Sequence, residues 1–237
     1  MILEILRMAR CSFDLYPEIV QKTLMVSKDR TQEALKQLAE MGFIKSRGKT
    51  HHLSKTGKTF LDAALNENLP KMHETLIQYS PYATVYRSLQ QSSGTISEIS
   101  QKTGMSHVTV DTILRLIGWT HPELTKNPDT GGHYLAFEKA PLEKSFLKKL
   151  MKTYQELSNH PFGIRRRYVK ISILRERVCE QLGITREVFD KLLRQSFSKH
   201  NDLIELASAP LIEATRATFT LTPMEPHYCY LRIVGEP

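Results

Sequence analysis

Three five-residue segments decide the fold of this chain: Leu24-Met25-Val26-Ser27-Lys28, Thr103-Gly104-Met105-Ser106-His107 and Leu182-Gly183-Ile184-Thr185-Arg186. Each segment places an apolar residue before a Ser or Thr, which is followed in turn by Lys, His or Arg. Val26, Met105 and Ile184 are separated by 79 residues and again by 79, and the chain of 237 residues is three times that length. Such a fixed spacing indicates a repeated structural unit.

The apolar pattern on both sides of the three segments keeps the same register. Equivalent positions hold Val20, Ile99 and Val178 upstream, and Leu35, Leu114 and Leu193 downstream. The pattern predicts an amphipathic helix, a tight turn, and a second helix that begins at a Ser or Thr N-cap. Gly104 and Gly183 suit a turn that needs a positive φ, whereas Met25 occupies the equivalent place in the first copy. The sequence therefore predicts three helix-turn-helix units.

Short strands are predicted after each helix pair. In the first copy, residues 43–45 and 51–53 flank a basic loop at 46–50, and Ser54 caps a helix over 55–65. The second helix of the second copy is predicted to end at Gly118. The other predicted strands cover residues 133–137, 168–171, 203–206 and 228–234. Connecting helices are predicted over residues 72–79, 81–91 and 141–157, the last with Leu142, Phe146 and Leu150 on one face.

All three units resemble winged helix-turn-helix domains. The first is similar to regulators of the MarR family and to archaeal winged-helix regulators, because residues 35–44 match the end of the recognition helix and residues 53–61 match the second wing strand. The resemblance covers most of residues 13–65, 81–137 and 160–234. It implies a mostly α fold with small β wings (α+β), as three tandem winged helix-turn-helix domains joined by helices. The expected domains are residues 1–68, 69–140 and 141–237.

Duplex DNA is the partner that this resemblance favours, because the second helix of a helix-turn-helix enters the major groove. The candidate contacts on the three second helices are Ser27, Lys28, Gln32, Lys36, Ser106, His107, Thr112, Arg115, Thr185, Arg186, Lys191 and Arg194. The candidate contacts to the DNA backbone, in the first wing and in a basic cluster, are Arg47, Lys49, His51, Arg165, Arg166 and Arg167. Each second helix also carries acidic residues, which repel phosphate and weaken this interpretation.

Composition is compatible with a nucleic-acid partner but does not require one. The chain has 33 Lys and Arg against 25 Asp and Glu, for a formal net charge of +8. The three consecutive 79-residue thirds carry +3, +2 and +3, so the charge is spread evenly. DNA affinity would therefore need several modules or a homodimer acting together.

Catalytic and metal-binding patterns are not found in the sequence. Cys11, Cys179 and Cys229 are far apart and odd in number, which disfavours a disulfide framework and favours a reducing, cytoplasmic location. The expected DNA partner adds a nucleoid-associated location. Cys179 falls where two helices would cross, so we expect a core cysteine. The sequence has no Gly-rich phosphate loop and no H-E-x-x-H motif. We expect no enzymatic activity, no cofactor, no metal and no membrane-spanning segment.

Other functions remain open at the level of sequence. Winged helices also serve as protein-docking modules, for example in accessory subunits of SMC complexes and in subunits of transcription machineries. Plasmid-type replication initiators use tandem winged helices as well. The mixed charge of the predicted second helices suits a docking subunit, whereas the basic wing suits DNA.

Overall fold

The computed structural model describes residues 1–11, 14–159, 167–208, 219 and 228–234. These residues form a mostly helical structure with small antiparallel sheets, which confirms the predicted α+β class. In chain order the helices are α1 (Ile2–Cys11), α2 (Pro17–Leu24), α3 (Lys28–Glu40), α4 (Lys55–Leu65), α5 (Leu69–Leu76), α6 (Ser80–Gln91), α7 (Ile96–Thr103), α8 (His107–Thr120), α9 (Glu143–Ser158), α10 (Ile171–Leu182) and α11 (Arg186–Lys199). The strands are β1 (Ile44–Arg47), β2 (Thr50–Leu53), β3 (Leu124–Lys126), β4 (His133–Leu135), β5 (Val169–Lys170), β6 (Ile204–Ser208) and β7 (Tyr228–Ile233).

The chain divides into two compact units. The first unit consists of Met1–Arg87 and Val108–Pro122, and the second consists of Ser88–His107 and Glu123–Pro237. We call α2–α3, α7–α8 and α10–α11 the first, second and third helix pairs. We call β1–β2 the first hairpin and β3–β4 the second hairpin.

Each helix pair turns at a single residue in the left-handed conformation. Met25, Gly104 and Gly183 have φ values of 52°, 70° and 61°. In each case the backbone N–H of this residue donates to the carbonyl four residues earlier, which belongs to Gln21, Ser100 or Cys179 respectively. The spacing of 79 residues seen in the sequence is thus a repeat of backbone geometry.

The N-caps of the first and third pairs lie two residues beyond this turn. The Ser27 hydroxyl accepts from the backbone N–H of Arg30, and the Thr185 hydroxyl accepts from that of Val188. Both are the short polar side chains that satisfy free N–H groups at a helix start. The second helix of each of these pairs therefore begins at the position that the sequence predicts.

The core of the first unit forms where α1, α3 and α4 pack around the first hairpin. Phe43 and Phe60 stack with their ring centroids 4.6 Å apart, and both side chains are fully buried. Residues 44 to 53 pair in an antiparallel register, and Leu15 adds an isolated bridge to His51. The sequence predicted this hairpin and α4, but it did not predict α1.

The core of the second unit joins α9, α10 and α11 to a three-stranded sheet of order β5-β7-β6. Phe146 meets Phe189 edge to face, with ring centroids 5.5 Å apart. Cys179 is fully buried in this core, and burial raises the pKa of its thiol to about 12. Its environment is that of a packed core residue, as the sequence predicts, and it keeps the thiol protonated at neutral pH.

Some predicted boundaries were wrong. Helix α8 continues two residues past Gly118, because Thr120 is buried and its hydroxyl lies 2.7 Å from the Tyr82 hydroxyl. Helix α5 covers Leu69–Leu76 and not residues 72–79. Leu142 precedes α9 and is 80% exposed, so it does not belong to the apolar face of that helix. Local pattern does not reveal such tertiary contacts.

We expect Gly57→Ala to destabilise the first unit, although the same substitution usually stabilises a helix. A Cβ atom at Gly57 in α4 would collide with the carbonyl oxygen of Phe43 and would lie 3.0 Å from the Leu53 side chain. The cost should be about 1–3 kcal/mol, seen as a lower midpoint of thermal unfolding. The matched control is Gly118→Ala, at an exposed position inside α8, which should gain up to about 1 kcal/mol from helix propensity. A stability gain in both variants would contradict the described packing of α4 on Phe43.

Candidate nucleic-acid interface

Helix α3 presents a polar face at the surface of the first unit. Lys28, Gln32 and Lys36 are exposed at successive four-residue steps, and Ser27 caps the start of this helix. Steps of four residues place side chains on the same side of a helix. Acidic residues interrupt the charge: Lys36 lies 4.0 Å from Glu40 on the same helix. This exposed pair contributes little and leaves the lysine accessible.

The first hairpin adds a strongly basic surface next to this helix in the chain. Lys45, Arg47 and Lys49 are exposed, and Gly48 forms the turn with a φ of 62°. Between Glu40 and Asp62 the chain has five Lys and Arg residues and no carboxylate. Sequence reasoning named Arg47 and Lys49 but missed Lys45, Lys55 and Lys58; the absence of acidic residues from this window is the signal that identifies them.

His51 has a structural place in this hairpin. Its backbone exchanges two hydrogen bonds with Leu15, of 3.0 and 3.1 Å, and its Nδ1 atom lies 3.0 Å from the Ser46 hydroxyl. Burial, together with the neighbouring His52, lowers the pKa of His51. The imidazole is therefore mostly neutral at pH 7 and would offer a hydrogen bond, not a charge, to a ligand.

The second helix pair carries a balanced charge. His107 and Arg115 are exposed on α8, as is Ser106 just before it. The Arg115 guanidinium lies 2.9 Å from the Asp111 carboxylate one turn earlier. The half-buried Thr112 donates its hydroxyl to the carbonyl of Val108. This helix therefore presents little net positive charge.

Hydrogen bonds and an ion pair hold the second hairpin against α10 within the second unit. Asn127 is fully buried, and its side-chain amide donates to the Glu180 carboxylate at 2.6 Å and to the Glu176 carbonyl at 3.3 Å. Asp129 adds an ion pair of 2.9 Å to Arg177. The turn of this hairpin is consequently a packing element and not a free wing.

Residues at the start of α11 in the third helix pair also have hydrogen-bond and ion-pair partners within the second unit. Phe137 donates its backbone N–H to the Gly183 carbonyl at 2.8 Å and accepts from the Thr185 N–H at 3.3 Å. Arg186 pairs at 2.7 Å with Glu176, whose side chain is almost buried, and this hydrogen bond raises the pKa of Arg186. Thr185 is thus hydrogen-bonded within the unit, and Arg186 is paired there although 52% of its side chain stays exposed.

The remaining cations of the third copy differ in their surroundings. Lys191 is exposed, whereas the Arg194 guanidinium lies 5.3 Å from the centre of the Phe219 ring. Arg167 is exposed, and its carbonyl accepts from the Tyr154 hydroxyl at 2.7 Å. Arg165 and Arg166 lie outside the described residues, so the proposed basic cluster stays a prediction.

Comparison with known proteins does not assign a family or a function to these surfaces. No protein-family model matches the sequence, and no curated protein matches it either. Among the described residues, no three His, Cys, Asp or Glu side chains are grouped to hold a metal ion. Within the same part of the chain, no helix has the length and apolar character to cross a membrane.

We expect Asn127→Ala to loosen the second hairpin from α10. The substitution removes both hydrogen bonds that the Asn127 side-chain NH2 group donates to α10. It also removes the side-chain oxygen that accepts from the backbone N–H of Asp129. The second unit should lose about 1–3 kcal/mol, because buried polar partners remain unsatisfied. Hydrogen exchange of the backbone amides at 127–132 should become faster. The exposed neighbour Lys126→Ala is the control, and equal exchange in both variants would show that Asn127 does not hold the turn.

Proposed function

We propose that this protein is a non-enzymatic duplex DNA-binding protein made of three winged helix-turn-helix modules, residues 1–68, 69–140 and 141–237. The first module supplies the main contact surface. The observation that carries this proposal is the combination of an exposed α3 face with a basic hairpin, in a sequence window (residues 41–61) that has five Lys and Arg residues and no Asp or Glu. One carboxylate from outside this window, that of Asp14, lies 3.3 Å from the imidazole of His52. The function belongs to transcription regulation, genome maintenance or mobile-element defence, with a nucleoid-associated location in the cytoplasm.

The three-module interpretation is supported by the three left-handed turns at a constant spacing. In the first module, α1, the first helix pair and the first hairpin follow the order of a winged helix. The bridge from Leu15 to His51 supplies the third strand position of that arrangement. The same order recurs in the third module as α9, the third helix pair and the strands β6 and β7.

The mechanism follows from the chemistry of the exposed groups. The N-terminal part of α3 would enter the major groove, where Gln32 suits adenine and Lys28 suits guanine. Arg47, Lys49 and Lys45 would lie along the phosphate backbone, which sets position and affinity but carries no sequence information. Free N–H groups at the start of α3 would favour a phosphate there.

The second and third modules have a smaller role in this proposal. Helix α8 carries no net charge because Arg115 shares it with Asp111, Arg186 is paired with the nearly buried Glu176, and hydrogen bonds hold the second hairpin against α10. These modules would add a weak electrostatic attraction for the phosphates of the DNA backbone. Specific sites would then require a homodimer of the chain, whose two α3 helices would read two half-sites.

We expect Lys28→Ala with Arg47→Ala to weaken DNA binding by about tenfold or more at low salt. The logarithmic salt dependence should also become shallower by about one, because Arg47 is the phosphate contact of this pair and each lost phosphate contact contributes about 0.9 to the slope. The measurement is fluorescence anisotropy with a random-sequence duplex of about 20 base pairs at several salt concentrations.

The charge-matched comparison is Arg115→Ala with Lys191→Ala, which removes two exposed cations from the second and third modules. This variant should lose less than about threefold in affinity. An equal or larger loss would move the contact surface away from the first module. The absence of any binding at low salt would contradict a DNA-binding function altogether.

A second candidate function, protein docking in a larger complex of the SMC-accessory or transcription-machinery type, is favoured by α8. This helix exposes 71% of Val108 and 42% of Trp119, on the same side as Arg115. Apolar side chains on an exposed helix face suit a protein surface better than a phosphate backbone.

Quenching of Trp119 fluorescence shows whether duplex DNA covers α8 or leaves it open to a protein partner, and Trp119 is the only tryptophan of the chain. If DNA binds through the first module, we expect saturating duplex DNA to leave quenching by acrylamide unchanged. Val108→Ser should likewise leave DNA affinity unchanged. If DNA protects Trp119 and Val108→Ser weakens DNA binding, then α8 and not α3 is the DNA-contacting helix.

A further inference from the structure

A groove of about 710 Å³ runs beside α9 within the second unit, between this helix and the C-terminal end of α11. Leu147, Met151 and Leu203 supply its apolar lining. The opposite side of α9 is used by the core, where Phe146, Leu150 and Tyr154 are buried. Leu147 and Leu203 are partly buried against the edge of this core, and Met151 is half-buried, so the groove exposes the outer edge of the core's apolar surface.

The rim of this groove is basic. Lys144, Lys148 and Lys152 follow each other at four-residue steps along α9, and Lys199 stands at the end of α11. These four lysines face one lining carboxylate, Glu143. The Lys199 ammonium lies 2.6 Å from the Glu143 carboxylate, which neutralises that acid.

The three α9 lysines stay available to a ligand. Lys152 has a pair of 3.9 Å with Glu156, but both side chains are about half exposed or more, and such pairs contribute little in water. From Lys144 to Lys152 this lysine ridge covers eight helical steps, or about 12 Å at 1.5 Å per step. That length matches two to three turns of a facing helix.

We propose that this groove docks an acidic amphipathic helix of a partner protein. Apolar side chains of the partner, one turn apart, fit beside Leu147 and Met151, which are themselves one turn apart. Carboxylates flanking that apolar stripe meet the lysine ridge. This is the helix-in-groove mode, in which apolar anchors supply most of the affinity and complementary charge supplies orientation and a faster association rate.

A nucleic acid fits this surface less well than a peptide. Phosphates would pair with the lysines but would leave the apolar lining at Leu147, Met151 and Leu203 against a hydrated backbone. A groove with an apolar floor and charged edges has the anatomy of a protein interface. The proposal does not depend on DNA binding, because it concerns a different surface from α3 and the first hairpin.

The experiment uses the full chain and three labelled synthetic peptides of about 15 residues. The first is an amphipathic helix with leucines along one face and glutamates elsewhere. The second has the same composition with the leucines distributed around the helix, and the third has lysine in place of each glutamate. By fluorescence anisotropy, we expect the first peptide to bind at least about tenfold more tightly than either of the others.

Substitutions in the groove complete the test. We expect Lys148→Glu with Lys152→Glu to weaken the first peptide by about tenfold or more, and Met151→Ser by several fold. The control, Lys126→Glu with Lys139→Glu, makes the same charge change at exposed positions outside the groove and should leave the affinity unchanged. Thermal unfolding of each variant verifies that the second unit remains folded.

Three outcomes would overturn this proposal. The first is that the acidic amphipathic peptide does not bind. The second is that the peptide with distributed leucines binds equally well, which would show attraction by charge alone. The third is that the groove lysines matter for duplex DNA as much as Lys28 and Arg47 while no peptide binds, which would make the groove part of a nucleic-acid surface.

Discussion

The hydrogen bond from the left-handed turn residue to the carbonyl four residues earlier is the constraint on which each helix pair depends. The positive φ of the turn residue ends the first helix at a fixed position, and the second helix begins a few residues further along the chain. In the first and third pairs, a Ser or Thr then caps the second helix. The starting positions of α3, α8 and α11, three residues after each turn residue, all follow this one backbone geometry.

Met25 adopts the left-handed turn conformation although it is not a glycine. A left-handed conformation costs a residue other than glycine roughly 1–2 kcal/mol. Met25 adopts it nevertheless, with its side chain 93% exposed, so its own contacts do not repay that cost. The packing of α2 and α3 against the rest of the first unit must hold the turn in place.

The sequence predicted much of this fold because its signals are local. Caps, turn residues and apolar steps of three or four residues identified the helix pairs, the first hairpin and the core position of Cys179. What the sequence did not reveal depends on contacts distant in the chain. The attachment of Asn127 to Glu180 and the bridge between Phe137 and Ile184 join residues far apart in the chain, so no local pattern signals them.

The same distinction applies to the candidate site. The residue types on α3 and the first hairpin could be named from spacing alone. The pairing of Arg186 with Glu176 could not be predicted in this way, because the two residues lie on α11 and α10 and come together only when these helices pack. Equivalent positions in the three copies therefore have different partners, and repetition in sequence does not give identical surroundings.

The division into two compact units has a consequence for how the chain can be cut. The chain passes between the units after Arg87, again after His107 and a third time after Pro122. The turn of the second helix pair therefore lies next to a crossing point, with α7 in one unit and almost all of α8 in the other. No single cleavage site can release both units as continuous fragments, so truncation at the apparent boundaries of the sequence repeat would divide a unit and not isolate one.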